Sequence, residues 1–395
     1  MTRRDQEWAK GPNRRMAVRG LGAFLAGSPL LRGQQDPFRD HSRVPGLDEM
    51  KTAFDFEPVL YAKVPRSAYD YTAYGTDGEF TLRRNREAFD WVELIPNRAS
   101  DAAVIQTSTE VLGVRMDFPI LISPSAAHFM LHPDGELATY QGAVGASNTP
   151  FIVSHVSSVP FEKIAASGKG PLWFQLYPRL EPDDNREVLD RVQAAGAKAV
   201  VVTIDQQADV HERALHDRNL GLRPGAARRP AAPPKNPYRV AENRLFYNWR
   251  IMDEIRRMVK VPLLAKGILT AEDAKLCLEH GLDGVYVSNH GGRSLDYSPA
   301  TLEVLPEIAA AVAGKVPILF DSGVRRGADA LKALALGANA VCLGRVPRWG
   351  LGAYGAPGVQ RIVEIVQSEL AHAMAYTGRA NLASIDRTLV RTDFP

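Results

Sequence analysis

The residues best suited to chemistry stand together at Ser288-Asn289-His290-Gly291-Gly292-Arg293. Val285, Tyr286 and Val287 precede them and have strand composition. His290 then falls at the strand tip, the two glycines allow a tight turn, and Arg293 follows. An imidazole titrates near neutrality and can take a proton. A guanidinium is a permanent cation whose planar fork matches a carboxylate. The pair suits a substrate that carries a carboxylate and must lose a proton. An exposed loop would tolerate the same residues, so the elements around them decide between the two readings.

Those elements begin a rhythm near residue 118. Short apolar strands are expected at 118–123, 151–154, 172–176, 199–204, 262–265, 284–288, 317–320 and 340–343. Helices are expected at 134–148, 160–167, 183–195, 249–259, 270–280, 299–313, 326–336 and 355–376. Near-continuous runs of Val, Ile and Leu mark parallel strands buried on both faces. Strand–helix units of this number and size predict an α/β chain folded as a closed (β/α)8 TIM barrel over residues 116–395. A doubly wound open sheet is the alternative, but no Gly-x-Gly-x-x-Gly opens a first helix. The pattern breaks at about 206–248, where Pro224, Pro230, Pro233, Pro234 and Pro237 mark a long irregular segment, expected as a lid in the fourth βα loop. Residues 36–115 read as an N-terminal cap, with helical spacing over 48–62 and 79–89. Between these lies a stretch rich in tyrosine (Tyr69, Tyr71, Tyr74), whose hydroxyls could pack or serve a polar site.

A barrel of this kind works at the carboxyl ends of its strands. Ser123-Pro124-Ser125-Ala126-Ala127 follow the first strand. Ser154, Gln175, Thr203, Lys266 and Ser288 form a polar ring at successive strand ends, with Tyr177 and Asp205 just beyond. Asp321-Ser322-Gly323-Val324-Arg325-Arg326-Gly327 and Gly344-Arg345 follow the last two strands, where barrels commonly hold a phosphate on backbone N–H groups. Gly323, Gly327 and Gly344 permit close approach, and Arg325 or Arg345 adds charge. A phosphate site plus a ring of hydrogen-bonding residues points to flavin mononucleotide (FMN). Lys266 is costly to desolvate unless it meets an anion. A cation there favours a flavin edge that gains negative charge on reduction.

Composition is consistent with this reading. The chain has 395 residues, 45% hydrophobic and 24% charged, with a net charge of +3. Seven basic residues against Asp5 and Glu7 fall within 1–35, leaving the remainder slightly acidic, which argues against nucleic acid as a partner. The two cysteines, Cys277 and Cys342, sit in apolar periodic segments, so neither a disulfide framework nor a metal site is expected. Arg14-Arg15 followed by a mildly apolar run of small residues resembles a twin-arginine export signal; a basic leader on a cytoplasmic protein is the other reading. That run is too short for a transmembrane span.

Taken together, these motifs resemble the FMN-dependent α-hydroxy acid oxidases and dehydrogenases: glycolate oxidase, lactate oxidase, mandelate dehydrogenase and the flavin domain of flavocytochrome b2. The family signature Ser-Asn-His-Gly-[Ala/Gly]-Arg-Gln stands here as Ser288 to Ser294, and the resemblance covers about residues 48–390. It implies His290 as the base, Asp205 behind it, Tyr177 near the substrate hydroxyl, and Tyr71 and Arg293 on the substrate carboxylate. It places Pro124, Ser125, Ala126, Ser154, Gln175, Thr203, Lys266 and Ser288 around the flavin ring. Asp321, Gly323, Arg325, Gly344 and Arg345 then hold the rest of FMN. It implies oxidation of an L-2-hydroxy acid to the 2-oxo acid, with a hydride equivalent passing to flavin N5, and a homotetramer. No Cys-x-x-Cys-His haem segment is present, so the electron acceptor is oxygen, a quinone or a separate carrier.

Three positions depart from the family. Ser294 replaces the final glutamine. His211 or Glu212 stands where relatives carry a second active-site arginine, with Arg213 adjacent. Val156 stands where glycolate oxidase has tryptophan, with His128 in the first loop, which implies a wider pocket. The alternatives are an FMN enzyme acting on a different alcohol, or a flavin-binding protein with little turnover. Bleaching of the flavin by 2-hydroxy acids without oxygen separates them.

Overall fold

The computed structural model describes residues 43–97, 104–205 and 247–395. The expected leader at 1–35, nearly all of the expected lid, and His211, Glu212 and Arg213 lie outside the described residues. The described residues divide into two units, one ending at Glu49 and one beginning at Met50. In the first, Arg43 clamps Glu49 through two bonds of 2.8 Å beside the short turn Leu47–Glu49. The second holds the remaining described residues.

That unit opens with three helices, α1 (Phe56–Lys63), α2 (Arg66–Ala73) and α3 (Phe80–Asp90). Strand β1 (Val92–Leu94) and a hairpin of β2 (Thr109–Val111) and β3 (Val114–Met116) follow. The barrel strands are β4 (Ile120–Ile122), β5 (Phe151–Ser154), β6 (Leu172–Leu176), β7 (Val200–Thr203), β8 (Leu263–Ile268), β9 (Gly284–Val287), β10 (Ile318–Phe320) and β11 (Ala340–Leu343). All pairs are parallel and the sheet closes through β11 onto β4, with Val341 opposite Ile120. Helices α4 (Gly135–Gly145), α5 (Phe161–Ala166), α6 (Pro182–Ala194), α7 (Trp249–Met258), α8 (Ala271–Glu279), α9 (Thr301–Val312), α10 (Gly327–Ala335) and α11 (Arg345–Tyr376) alternate with them. Every residue of these strands is buried except Gly267, which is why they read as unbroken apolar runs.

Three features were not legible beforehand. The hairpin turns on Leu112 and Gly113, both at positive φ, as the twist of a two-residue connection requires. Its Val111, Val114 and Met116 join Leu121, Ile152, Trp173, Leu264 and Leu319 in one cluster, so a stretch expected in the cap instead packs into the core of the barrel at the strands' amino ends. Strand β12 (Val390–Thr392) pairs antiparallel with β1. The last helix consists of two helical pieces across a break at Tyr354 and Gly355, the latter at φ 64°: the expected helix over 355–376 follows the break, and an unexpected first piece runs up to it from Arg345, directly after β11. Glycine suits that φ, and a Cβ there would also come within 2.8 Å of His132 Nε2.

Candidate active site

The carboxyl ends of the strands open into a cavity of about 900 Å³. His290 reaches it from the turn after β9, at φ 59°, with its N–H on Ser288 Oγ at 3.1 Å. Hydrogen bonds from within the signature and from distant elements hold this turn. Asn289 exchanges amide hydrogen bonds of 2.7 and 2.9 Å with Asn85 of α3 and also accepts from Gly292 N–H. Gly291 N–H donates to Ser322 Oγ. Gly292 sits at φ 77°, where a Cβ would strike the backbone of Leu82 at 2.6 Å, so no other residue fits.

Behind His290 lies Asp205. Its Oδ1 is 2.9 Å from His290 Nδ1, and its Oδ2 is 3.9 Å from Lys266 Nζ. Gly267 makes room for this carboxylate: at φ 110°, a Cβ there would come within 2.6 Å of Asp205 Cβ. Burial alone would raise the Asp205 carboxyl, but the positive charge of Lys266 and the bond from His290 hold it below the usual carboxylate range. Burial lowers the His290 imidazole from its usual value; Asp205 opposes this and Lys266 adds to it. His290 is therefore neutral at neutral pH and can accept a proton. The Tyr177 phenol is pushed up by burial and by the Asp205 charge, and stays a protonated donor.

Also on the cavity, Arg293 donates to the Tyr71 carbonyl and lies over the Tyr71 ring at 4.6 Å. The cavity wall also includes Pro124, Ser125, Ala126, Ser154, Tyr177, Lys266, Asp321, Gly323, Arg325, Gly344 and Arg345. Gln175, Thr203 and Ser288 do not reach that wall; they are buried at the strand ends behind it. Yet Gln175 Nε2 and Thr203 Oγ1 are buried polar atoms that find no partner among the described residues. Lys266 Nζ is too far from Asp205 for a hydrogen bond. Orphaned polar groups on neighbouring strands next to a buried cation are what the edge of a flat heteroaromatic ring would satisfy. At the other end, burial and the nearby Arg86 push the Arg325 guanidinium down to about 10. Gly344 opens onto free space at the start of α11, where the first N–H groups are available to an anion. These features fit a flavin mononucleotide.

Some assignments from sequence look different in place. Arg345 spends its guanidinium on three carbonyls, of Thr72, Gly291 and Tyr74, and so staples the His290 turn to the end of α2. The missing Cβ of Gly323 is demanded by Asn85 of α3, 2.2 Å away, as much as by any ligand. His128 does not widen the pocket. It is buried, with Nε2 at 2.7 Å from Ser125 Oγ and Nδ1 at 2.9 Å from Thr139 Oγ1. Val156 does line the cavity and is 55% exposed. His155, Tyr247 and Arg348 also line it without having been singled out; Arg348 lies inside an apolar, Gly-rich segment that gives no sign of a site.

Comparison with known proteins identifies relatives over most of the chain. The model of the FMN-dependent dehydrogenase family matches residues 61–392. A peroxisomal (S)-2-hydroxyacid oxidase of Arabidopsis thaliana is 37% identical over 88% of this chain and 98% of its own length. The 2-hydroxyacid oxidase 1 of Mus musculus is 38% identical over 85% of this chain and 95% of its own. A crystal structure of mandelate oxidase superposes with a TM-score of 0.79 at 33% identity, covering 87% of this chain and 99% of that one.

Proposed function

The chain belongs to the FMN-dependent dehydrogenase family, and from that premise we propose that it oxidises a 2-hydroxy acid to the 2-oxo acid. The observation that carries the proposal is the Asp205–His290 pair, 2.9 Å apart, on a cavity that also holds Arg293 and Tyr71. Bound FMN supplies the two-electron acceptor. Gln175, Thr203 and Lys266 would hold its ring, with Ser154 and the Pro124–Ala126 loop beside them, and Arg325, Asp321 and the Gly344 backbone would hold its tail.

The protein's own residues do the rest. Arg293 and Tyr71 take the substrate carboxylate, a charge-assisted contact that fixes Cα in one orientation. His290, neutral before reaction, accepts the proton at Nε2, and Asp205 stabilises the imidazolium through Nδ1. Tyr177 donates to the substrate oxygen. The substrate side chain extends towards Val156 and Leu180, both exposed on the wall, so side chains larger than that of glycolate are accommodated. Oxygen is the proposed electron acceptor, because the three relatives described above are named as oxidases.

Anaerobic mixing of the FMN-loaded protein with a panel of 2-hydroxy acids is the test. Bleaching of the flavin is expected, with loss of bleaching but retention of FMN in His290→Ala. Bleaching by none of the panel would refute the proposal, and reoxidation by a quinone but not by oxygen would refute the acceptor.

A further inference from the structure

Helix α2 carries Tyr71 into the cavity with two guanidiniums over its ring, Arg293 at 4.6 Å and Arg348 at 5.4 Å. Arg348 comes from the first turn of α11 and is only 4% exposed. Its Nη1 donates to the carbonyl of Ala126 at 2.6 Å. Its Nε and Nη2 both donate to Thr72 Oγ1, at 3.3 and 3.2 Å. Thr72 in turn donates to the Ala68 carbonyl within α2. One buried side chain therefore ties the helix that carries Tyr71 to the loop after β4, and does so at the cavity wall. A planar fork with fixed donor directions suits this better than a flexible ammonium would. The same group brings a permanent positive charge to the end of the cavity where Arg293 already stands.

We infer that Arg348 is a positioning residue for substrate binding: it locks Tyr71 and the Ala126 carbonyl in place and adds positive charge beside Arg293 at the carboxylate end. The inference rests on the function proposed above. Its action is on binding of the carboxylate in ground and transition state alike, so it predicts a raised KM with little change in kcat.

The test uses the FMN-loaded full chain. Arg348→Leu is expected to raise KM for the best 2-hydroxy acid, and the dissociation constant of oxalate read from the flavin spectrum, by about tenfold, with kcat within about twofold. Arg348→Lys, which keeps charge and loses the fork, should recover part of that loss. Thr72→Val, which removes one acceptor and leaves the cation, should give a smaller rise in the same direction and serves if Arg348→Leu fails to fold. Unchanged KM and oxalate affinity in all three variants overturns the inference. So does a loss of FMN affinity with normal KM in the remaining holoenzyme, which would place Arg348 on the cofactor. Oxalate binding needs no turnover, so absence of any substrate oxidation in the unaltered protein would sink the proposed function while leaving Arg348 separately tested.

Discussion

Asp205→Asn probes the centre of the proposed chemistry with a near-isosteric change. In the folded chain Asp205 Oδ1 is 2.9 Å from His290 Nδ1, and the side chain is 10% exposed. As His290 takes the substrate proton it becomes a cation beside this carboxylate. At an effective dielectric constant of about 20, unit charges at such range interact by roughly 4 kcal/mol, and each 1.4 kcal/mol is a factor of ten in rate. Removing the charge should therefore slow anaerobic flavin reduction by about two to three orders of magnitude. The pH dependence adds a second readout. Reduction requires neutral His290, so its rate rises with pH through the His290 pKa, which already lies below the usual imidazole value. Asp205 is the group that opposes this lowering. In the asparagine variant the acid limb should therefore move to still lower pH even as the plateau falls. Stopped-flow reduction between about pH 5 and 8 measures both. A rate within about threefold of the unaltered protein, or an acid limb displaced upward, would refute the assignment of Asp205 and His290 as a functional pair.

Two further outcomes follow from the packing. Gly267→Ala forces a Cβ to 2.6 Å from Asp205 Cβ at a φ of 110°, so it should cost about 1–3 kcal/mol by denaturant titration and displace Asp205, lowering the reduction rate with it. His128 is buried and its pKa is lowered well below the ordinary value by burial first and by Arg348 second. The unfolded chain therefore binds the extra proton as pH falls below about 6.5, and stability present above that pH is lost on acidification. His128→Gln cannot take the proton, so its melting temperature should fall less steeply between about pH 6.5 and 5; parallel curves would contradict this.

Much of the barrel could be read in advance because its strands are buried on both faces. Runs such as Val200–Thr203 and Ala340–Leu343 carry a signal that no partial exposure interrupts. The three-residue strands of the β2–β3 hairpin and of β1 and β12 carry no such signal, since each depends on a partner elsewhere for its identity. The start of α11 was masked by Pro347, Gly350 and Gly352, residues that disfavour a helix locally but are held by packing, Gly350 against Gly358 and Gly352 against Leu60. In the site, His290, Arg293 and Lys266-Gly267 were recognisable from motif and residue type. Nothing local distinguished Arg348, or showed that Arg345 serves the carbonyls of α2 and the His290 turn.

The sequence by itself determined the closed barrel, the polar residues at its strand ends, and the placing of His290 and Arg293 just after a strand. Each of these is encoded by the order of neighbouring residues. Only the tertiary structure decided which further groups meet: Arg348 with Thr72 across 276 positions, Arg345 with the carbonyls of Thr72, Gly291 and Tyr74, Gly267 yielding space to Asp205. The physical reason is that a side chain's type is local, whereas its partners, its burial and hence its pKa are set by how the chain closes on itself.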